Sequence, residues 1–192
     1  AGVVTAKVEP GTANSLKIAL NDVLLVGDDK LSLTVINNSD GSATSAAVLD
    51  QLAGKTVSKI TVNAKAITGD FADLEVLYVN NTKEQFVGLG NKAVTINAGA
   101  SETEVNSILA ATSGVVTATL SASAEDLKLA LTAAKSNDEL ILNVTGDALA
   151  SDLKALDAKT SSLVSTAAGA KITGSGADLK TVIKSSGIEL FG

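Results

Sequence analysis

The sequence predicts an α/β repeat protein: an open solenoid of about eight strand–helix units, with strands stacked in a parallel sheet and helices along one side. Three observations predict it. The two halves of the chain match each other in order. Short β-rich runs alternate with segments of helical spacing. The apolar residues are nearly all small aliphatics, which suit thin, similar layers better than a globule organised around large rings.

The internal match is carried by five segments. Gly2-Val-Val-Thr-Ala6 recurs as Gly114-Val-Val-Thr-Ala118, and Asn14-Ser-Leu-Lys-Ile-Ala-Leu20 aligns with Glu125-Asp-Leu-Lys-Leu-Ala-Leu131. Asp28–Val35 then matches Asn137–Val144, Leu49–Thr56 matches Leu153–Thr160, and Ile67–Leu74 matches Ile172–Leu179. The order is kept throughout, which points to a duplication. Residues 1–100 form the first repeat block and 101–192 the second, in one continuous solenoid.

Within the blocks, β-rich runs fall at Val3–Val8, Leu31–Ile36, Ile60–Asn63, Ala93–Asn97, Val115–Leu120, Glu139–Val144, Leu163–Thr166 and Ile188–Phe191. Helical spacing links Leu16, Ile18, Ala19 and Val23; Val105, Ile108 and Leu109; Leu127, Ala130, Leu131 and Ala134; and Leu179, Val182 and Ile183. Ser101-Glu-Thr-Glu104 is a capping box, and Ser123–Asp126 and Ser175–Asp178 are its acidic variants. A closed eightfold barrel typically takes about 250 residues, so the open solenoid is favoured, with a compact open α/β sandwich as the alternative. The shared apolar–Thr–apolar–Asn pattern of three strands would stack Thr34, Thr61 and Thr95 in one ladder and Asn63 and Asn97 in another.

Composition narrows the chemistry. There is no His and no Cys, so the common nitrogen and sulfur metal ligands and the usual neutral-pH general base are missing. The expectation is a protein that is not an enzyme, with no catalytic or cofactor-binding residues. All 15 basic residues are Lys, and the net charge is −6; without Arg or a basic stripe, nucleic acid is not an expected partner. The uncharged stretch Val105–Ala124 is too rich in Ser, Thr and Asn for a membrane span and reads as helix end, turn and strand. No signal peptide begins at Ala1, which suits a mature or excised chain. The lack of Cys and Met suits exposure to oxidants outside a cell.

Few residues offer a site. Calcium is the metal that Asp and Asn oxygens suit, and the densest clusters are Asp28-Asp29, Asn38-Ser-Asp-Gly41 and Asn137-Asp-Glu139. Gly174-Ser-Gly-Ala-Asp178 has the form of a phosphate cradle. Its counterpart Gly69-Asp-Phe-Ala-Asp73 lacks the second Gly, which favours a turn and cap in both. The carboxylate pairs Glu102/Glu104 and Glu125/Asp126 sit at helix starts, where capping accounts for them. Asn37, Asn80 and Asn143 open Asn-x-Ser/Thr sequences of the kind such a composition produces. The longer segment Val79–Gly90, with Tyr78, Phe86 and Leu89, is the expected lateral contact.

The second half resembles a known family. Ala148-Leu-Ala-Ser-Asp-Leu-Lys-Ala-Leu-Asp-Ala-Lys-Thr160, then Lys171-Ile-Thr-Gly-Ser-Gly-Ala-Asp-Leu-Lys-Thr-Val-Ile-Lys-Ser-Ser-Gly-Ile188, resembles repeat units of very large secreted or cell-surface bacterial proteins, S-layer- or adhesin-like, best represented in marine cyanobacteria. The resemblance is clearest over 46–100 and 148–192 and includes the turn Gly88-Leu-Gly-Asn91; Asp70 and Ser175 depart from the family's Thr. It implies an extracellular structural scaffold with no catalytic residues. The expected partners are copies of the chain, as homo-oligomer or polymer, or neighbouring repeats of a larger chain. A polysaccharide-, calcium- or ice-binding surface module is the alternative.

Overall fold

The computed structural model describes residues 2–21, 29–80 and 85–191. Val23, Asp28 and Thr82, which enter the expectations above, lie outside the described residues. The chain divides into two compact units, one of Ala1–Asn97 with Ala111–Gly114, the other of Ala98–Ala110 with Val115–Gly192.

The first unit runs β1 (Thr5–Lys7), α1 (Ala13–Ala19), β2 (Lys30–Val35), β3 (Thr44–Ser45), α2 (Ala46–Ala53), β4 (Ile60–Val62), β5 (Ala66–Gly69), α3 (Phe71–Tyr78), β6 (Phe86–Val87) and β7 (Ala93–Ile96). Its strands form two parallel ladders, β1-β2-β4-β6 and β3-β5-β7. The registers stack Leu33 on Ile60, Ile60 on Phe86, and Ile67 on Val94.

The second unit runs α4 (Glu102–Ala111), β8 (Val116–Ala122), α5 (Ala124–Ala130), β9 (Glu139–Val144), β10 (Ala148–Leu149), α6 (Ala150–Asp157), β11 (Val164–Thr166), β12 (Ile172–Thr173), α7 (Gly176–Lys184) and β13 (Ile188–Glu189). It has the same organisation, with parallel ladders β8-β9-β11-β13 and β10-β12. Leu142, Val164 and Ile188 stack in one inward row. Among the described residues no ladder closes into a barrel. The protein is a mixed α/β fold of parallel strands.

Local chemistry accounts for these elements. In β2, Leu31, Leu33 and Val35 are buried while Lys30 and Ser32 face water, and β9 repeats this with Leu140, Leu142 and Val144 against Glu139 and Ile141; this is period-two alternation. Helices start where a hydroxyl takes a first-turn amide: Thr12 from Ser15 N at 3.1 Å, Ser123 from Asp126 N at 3.1 Å and Ser175 from Asp178 N at 3.1 Å. The capping box closes in both directions, Glu104 N to Ser101 Oγ at 3.4 Å and Ser101 N to Glu104 Oε2 at 2.7 Å. The largest fully buried side chains are all Leu and Ile, each contributing roughly 1.5–3 kcal/mol by removal from water.

The structure departs from the sequence reading in one consistent way. All eight expected strands are present, but β3, β5, β6, β10 and β12 are additional, so a typical repeat is strand–strand–helix. Four of them have two residues each, too few to show alternation, and β5 has four. The consequence is that Thr95 leaves the ladder of Thr34 and Thr61: Thr34 pairs with Thr61, whereas Thr95 pairs with Thr68 in the other ladder. Asn63 and Asn97 are separated in the same way, the first following β4 and the second β7. Helices α2, α3 and α6 also escaped the spacing argument. Ile18 and Ile183, read as inward, are exposed, and Ala134 lies beyond the end of α5. Val105–Ala124 is helix end, turn and strand as expected, and no described helix is long and apolar enough to cross a membrane.

Thr44 shows where the two units diverge. Its hydroxyl is buried without a hydrogen-bond partner, and Ala148 holds the corresponding place in β10. A buried unpaired hydroxyl costs about 1–3 kcal/mol. Thr44→Val should therefore raise the urea unfolding midpoint, by about 1 kcal/mol; an unchanged or lowered midpoint would show that the hydroxyl is solvated.

Candidate functional site

The side chains that combine polarity with deep burial lie mainly where the chain enters a strand or leaves a helix. Asp29 and Asp138 are fully buried at the starts of β2 and β9. Asp29 Oδ1 accepts from Val4 N at 2.7 Å, and Asp138 Oδ1 accepts from Val116 N at 2.9 Å, with its Oδ2 taking Lys135 N at 2.8 Å. Each carboxylate thus ties the preceding strand to its own.

A threonine completes each junction. Thr56 Oγ1 accepts from Leu31 N at 2.8 Å and Ser58 N at 3.0 Å, and shares its proton between the carbonyls of Asp29 at 3.1 Å and Leu31 at 3.0 Å. Thr160 repeats this on Leu140 N (2.9 Å), Ser162 N (3.0 Å), Asp138 O (3.1 Å) and Leu140 O (2.8 Å). Thr112 occupies a related place, donating to Lys92 O at 2.9 Å and accepting from Gly114 N at 3.0 Å. There the backbones come close: a Cβ on Gly114 would fall 2.1 Å from the Lys92 carbonyl oxygen, which no side chain permits.

A second recurrence lies on the helices. The pattern Asp-Leu-Lys appears at 126–128, 152–154 and 178–180. Lys128 Nζ reaches Asp152 at 2.6 Å and Lys154 Nζ reaches Asp178 at 3.2 Å, so the lysine of one helix pairs with the aspartate of the next. The Ser175 hydroxyl, and after it Lys154, hold the Asp178 carboxyl below its ordinary value.

These findings place the expected site residues. Of the calcium candidates, Asp29 and Asp138 are engaged with main-chain amides, and Glu139 accepts from Thr117 Oγ1 at 3.1 Å. Asn38–Gly41 is a turn: Asn38 Nδ2 donates to the Ser42 and Ala43 carbonyls, and two bonds from Ser42 lower the Asp40 pKa. Among the described residues no three acidic side chains gather as a metal cluster. Gly174–Asp178 is a strand end followed by a cap. Asp70 begins α3 without a capping bond and instead accepts from Asn97 Nδ2 at 2.7 Å.

Glu104 is committed to the capping box and Asp126 accepts from Ser123 Oγ at 2.6 Å, with Glu102 and Glu125 beside them on the same first turns. Asn37 accepts from Lys65 N at 2.8 Å, and Asn143 accepts from Ser165 Oγ at 3.0 Å; both asparagines bridge neighbouring coils. Asn80 follows α3, and its partner Thr82 in the Asn-x-Thr sequence is outside the described residues. In the segment expected as a lateral contact, Val79–Gly90, Phe86 lies in β6 and is buried, as is Leu89, and residues 81–84 lie outside the described residues. Tyr78 is half-buried beside a hollow of about 390 Å³, and burial raises its pKa.

The Asp–Thr junctions and the Lys–Asp pairs were missed from sequence, although the repeated Lys-Thr-x-Ser of 55–58 and 159–162 and the repeated Asp-Leu-Lys both signalled them. Fold and junctions together define a mixed α/β protein of parallel strands in which corresponding junctions of the two units carry the same main-chain lock. Comparison with protein-family models, with curated proteins and with solved structures finds no match.

Two outcomes follow. Thr160→Val keeps the shape but strands the Leu140 amide, so urea denaturation should show a loss of about 1–3 kcal/mol, with Thr160→Ser much milder; equal losses would remove the hydroxyl from the argument. Because the Asp178 pKa is lowered on folding, its stabilising contribution is present above the unfolded value near about 4 and is lost as pH falls through the folded value. In an NMR titration Ser175→Ala should move the Asp178 midpoint upward; an unmoved midpoint would contradict the assigned cause.

Proposed function

We propose that the chain is a structural repeat module of a bacterial extracellular surface layer, filament or giant adhesin, built as an open solenoid and assembling end to end. The observation that carries this reading is the recurrence of one junction. The same Asp–Thr lock, in the same register, joins successive coils in both units, as a stack built by adding identical layers requires. Successive helices pack on one another in order, α1 on α2 on α3 and α5 on α6 on α7. Cell-surface placement rests on the resemblance of 148–192 to surface-protein repeats, and the non-catalytic reading rests on the missing His and Cys.

The alternative, a surface-binding module, has less support. An ice-binding face needs a regular Thr array, but the outward rows are mixed: Thr119 pairs with Ile141, and Ser121, Asn143, Ser165 and Glu189 form the next row. A hollow of about 600 Å³ on that face is lined by Ile141, Leu163, Glu189 and several Ser, without the aromatic platform that sugars favour.

Electron microscopy of the concentrated chain should show ordered filaments or sheets, and dispersed single particles at every concentration would defeat the reading. Millimolar calcium should leave the thermal midpoint unchanged, because the buried aspartates already serve backbone amides; a marked rise would favour the calcium-binding alternative.

A further inference from the structure

With no Cys and no Met, the chain is without the sulfur side chains that oxidise most readily. Spontaneous main-chain chemistry remains, and its fastest route runs through an aspartyl or asparaginyl residue followed by glycine. The next residue's amide attacks the side-chain carbonyl carbon and closes a succinimide ring, and glycine puts no Cβ in the way. The sequence has one Asp-Gly step, Asp40-Gly41, and no Asn-Gly. The step lies in the turn between β2 and β3, where residues 39–42 are all exposed. Gly41 has φ +76°, in the left-handed region that favours glycine, and a Cβ there would meet nothing within 4 Å.

The open position contrasts with how firmly both reacting groups are held. The Gly41 amide, the nucleophile, donates to Asn38 O at 3.1 Å. The Asp40 carboxylate, the electrophile, accepts through Oδ1 from Ser42 Oγ at 2.7 Å and from Ser42 N at 2.9 Å. These two bonds, the hydroxyl's first, lower the Asp40 pKa. The ionised carboxylate is the unreactive form, because ring closure has to expel an oxygen as water. Asn38 braces the far side of the turn, its Nδ2 donating to Ser42 Oγ at 3.1 Å, Ser42 O at 3.2 Å and Ala43 O at 3.1 Å.

We propose that Asp40 is the site at which this chain spontaneously isomerises to isoaspartate, and that the 38–42 turn is a brake on that reaction in the folded protein. In the reacting step Gly41 N attacks Cγ of the neutral Asp40 carboxyl. The amide proton and the departing hydroxyl leave as water, and the succinimide closes. Water then opens the ring in one of two ways. Cleavage of the new Cγ–N bond restores aspartate. Cleavage of the original peptide C–N bond leaves the chain linked through Cγ, with the former main-chain carbonyl as a free carboxylate. One water is released and one consumed, so mass is unchanged and no oxidant takes part. The main chain gains one carbon just ahead of β3, where Thr44 is buried and held in register with Ile67. Opening of the turn frees nucleophile and electrophile together, so the brake is a property of the fold.

The test is peptide mapping of the full chain after prolonged incubation at neutral pH in water enriched in heavy oxygen, with electron-transfer fragmentation to tell isoaspartate from aspartate. Isoaspartate carrying solvent oxygen should accumulate at residue 40 ahead of every other Asp and Asn. Chain unfolded in guanidinium chloride should convert several-fold faster than folded chain. Ser42→Ala and Asn38→Ala, the first at an exposed and the second at a half-buried position, should each convert several-fold faster than wild type while circular dichroism shows them folded. Once unfolded, both should match unfolded wild type. Isoaspartate that accumulates first at another residue would overturn the site. Equal rates in folded and unfolded wild type, or folded variants no faster than wild type, would overturn the brake. So would a difference between variant and wild type that persists after unfolding, because it would belong to the local sequence and not to the turn.

Discussion

The strands β2 and β9, at corresponding places in the two units, are each set in register by one hydroxyl. A strand that follows a helix in a parallel stack begins with a main-chain amide facing the incoming loop, where no strand can supply an acceptor. In β2 that amide is Leu31 and in β9 it is Leu140, and Thr56 and Thr160 satisfy them from inside the protein. The same oxygen takes a second amide, and its proton returns to the carbonyls on either side of the strand's first residue. Buried main-chain groups in apolar surroundings have to be paired, so loop and strand meet in one register only. The buried aspartate adds the third point by holding the previous strand to the same place.

This explains how so uniform a core specifies a single structure. With aromatics at 2% of the chain, layers of Leu, Ile and Val differ little in shape, and a slip between them would cost little in packing. A slip of one residue would, however, turn every inward side chain outward and strand the amides held by Thr56 and Thr160. At β2 and β9 register is fixed by these polar groups, and the aliphatic layers supply the general stabilisation. The Lys128–Asp152 and Lys154–Asp178 pairs align neighbouring helices, but partly exposed pairs of this kind contribute at most about 1 kcal/mol each. They tune the stack that the junctions define.

The α/β class, the parallel pairing and all eight expected strands were legible, because β-rich runs of four to six residues and Ser or Thr caps are local signals. What was not legible has a common cause. Strands such as Thr44–Ser45 and Ile172–Thr173 owe their existence to partners about 23 and 24 residues away, and two residues carry no period. Ala93–Ile96 and Ile60–Val62 look alike as sequence, yet they belong to different ladders, which misplaced Thr95. The junction residues were visible as repeats, but Asp29 and Asp138 were read as calcium candidates, since nothing local says that Asp138 is buried. An acid beside an amide-rich turn looks the same in sequence whether it faces water or the interior.

The sharpest limit on sequence reading is Gly2–Ala6 against Gly114–Ala118, five identical residues that are all exposed in one place, whereas Val116 and Ala118 are buried in the other. Burial there is set by what lies alongside and not by the five residues themselves, because both copies make the same bond to the strand that follows, Val4 N to Asp29 and Val116 N to Asp138.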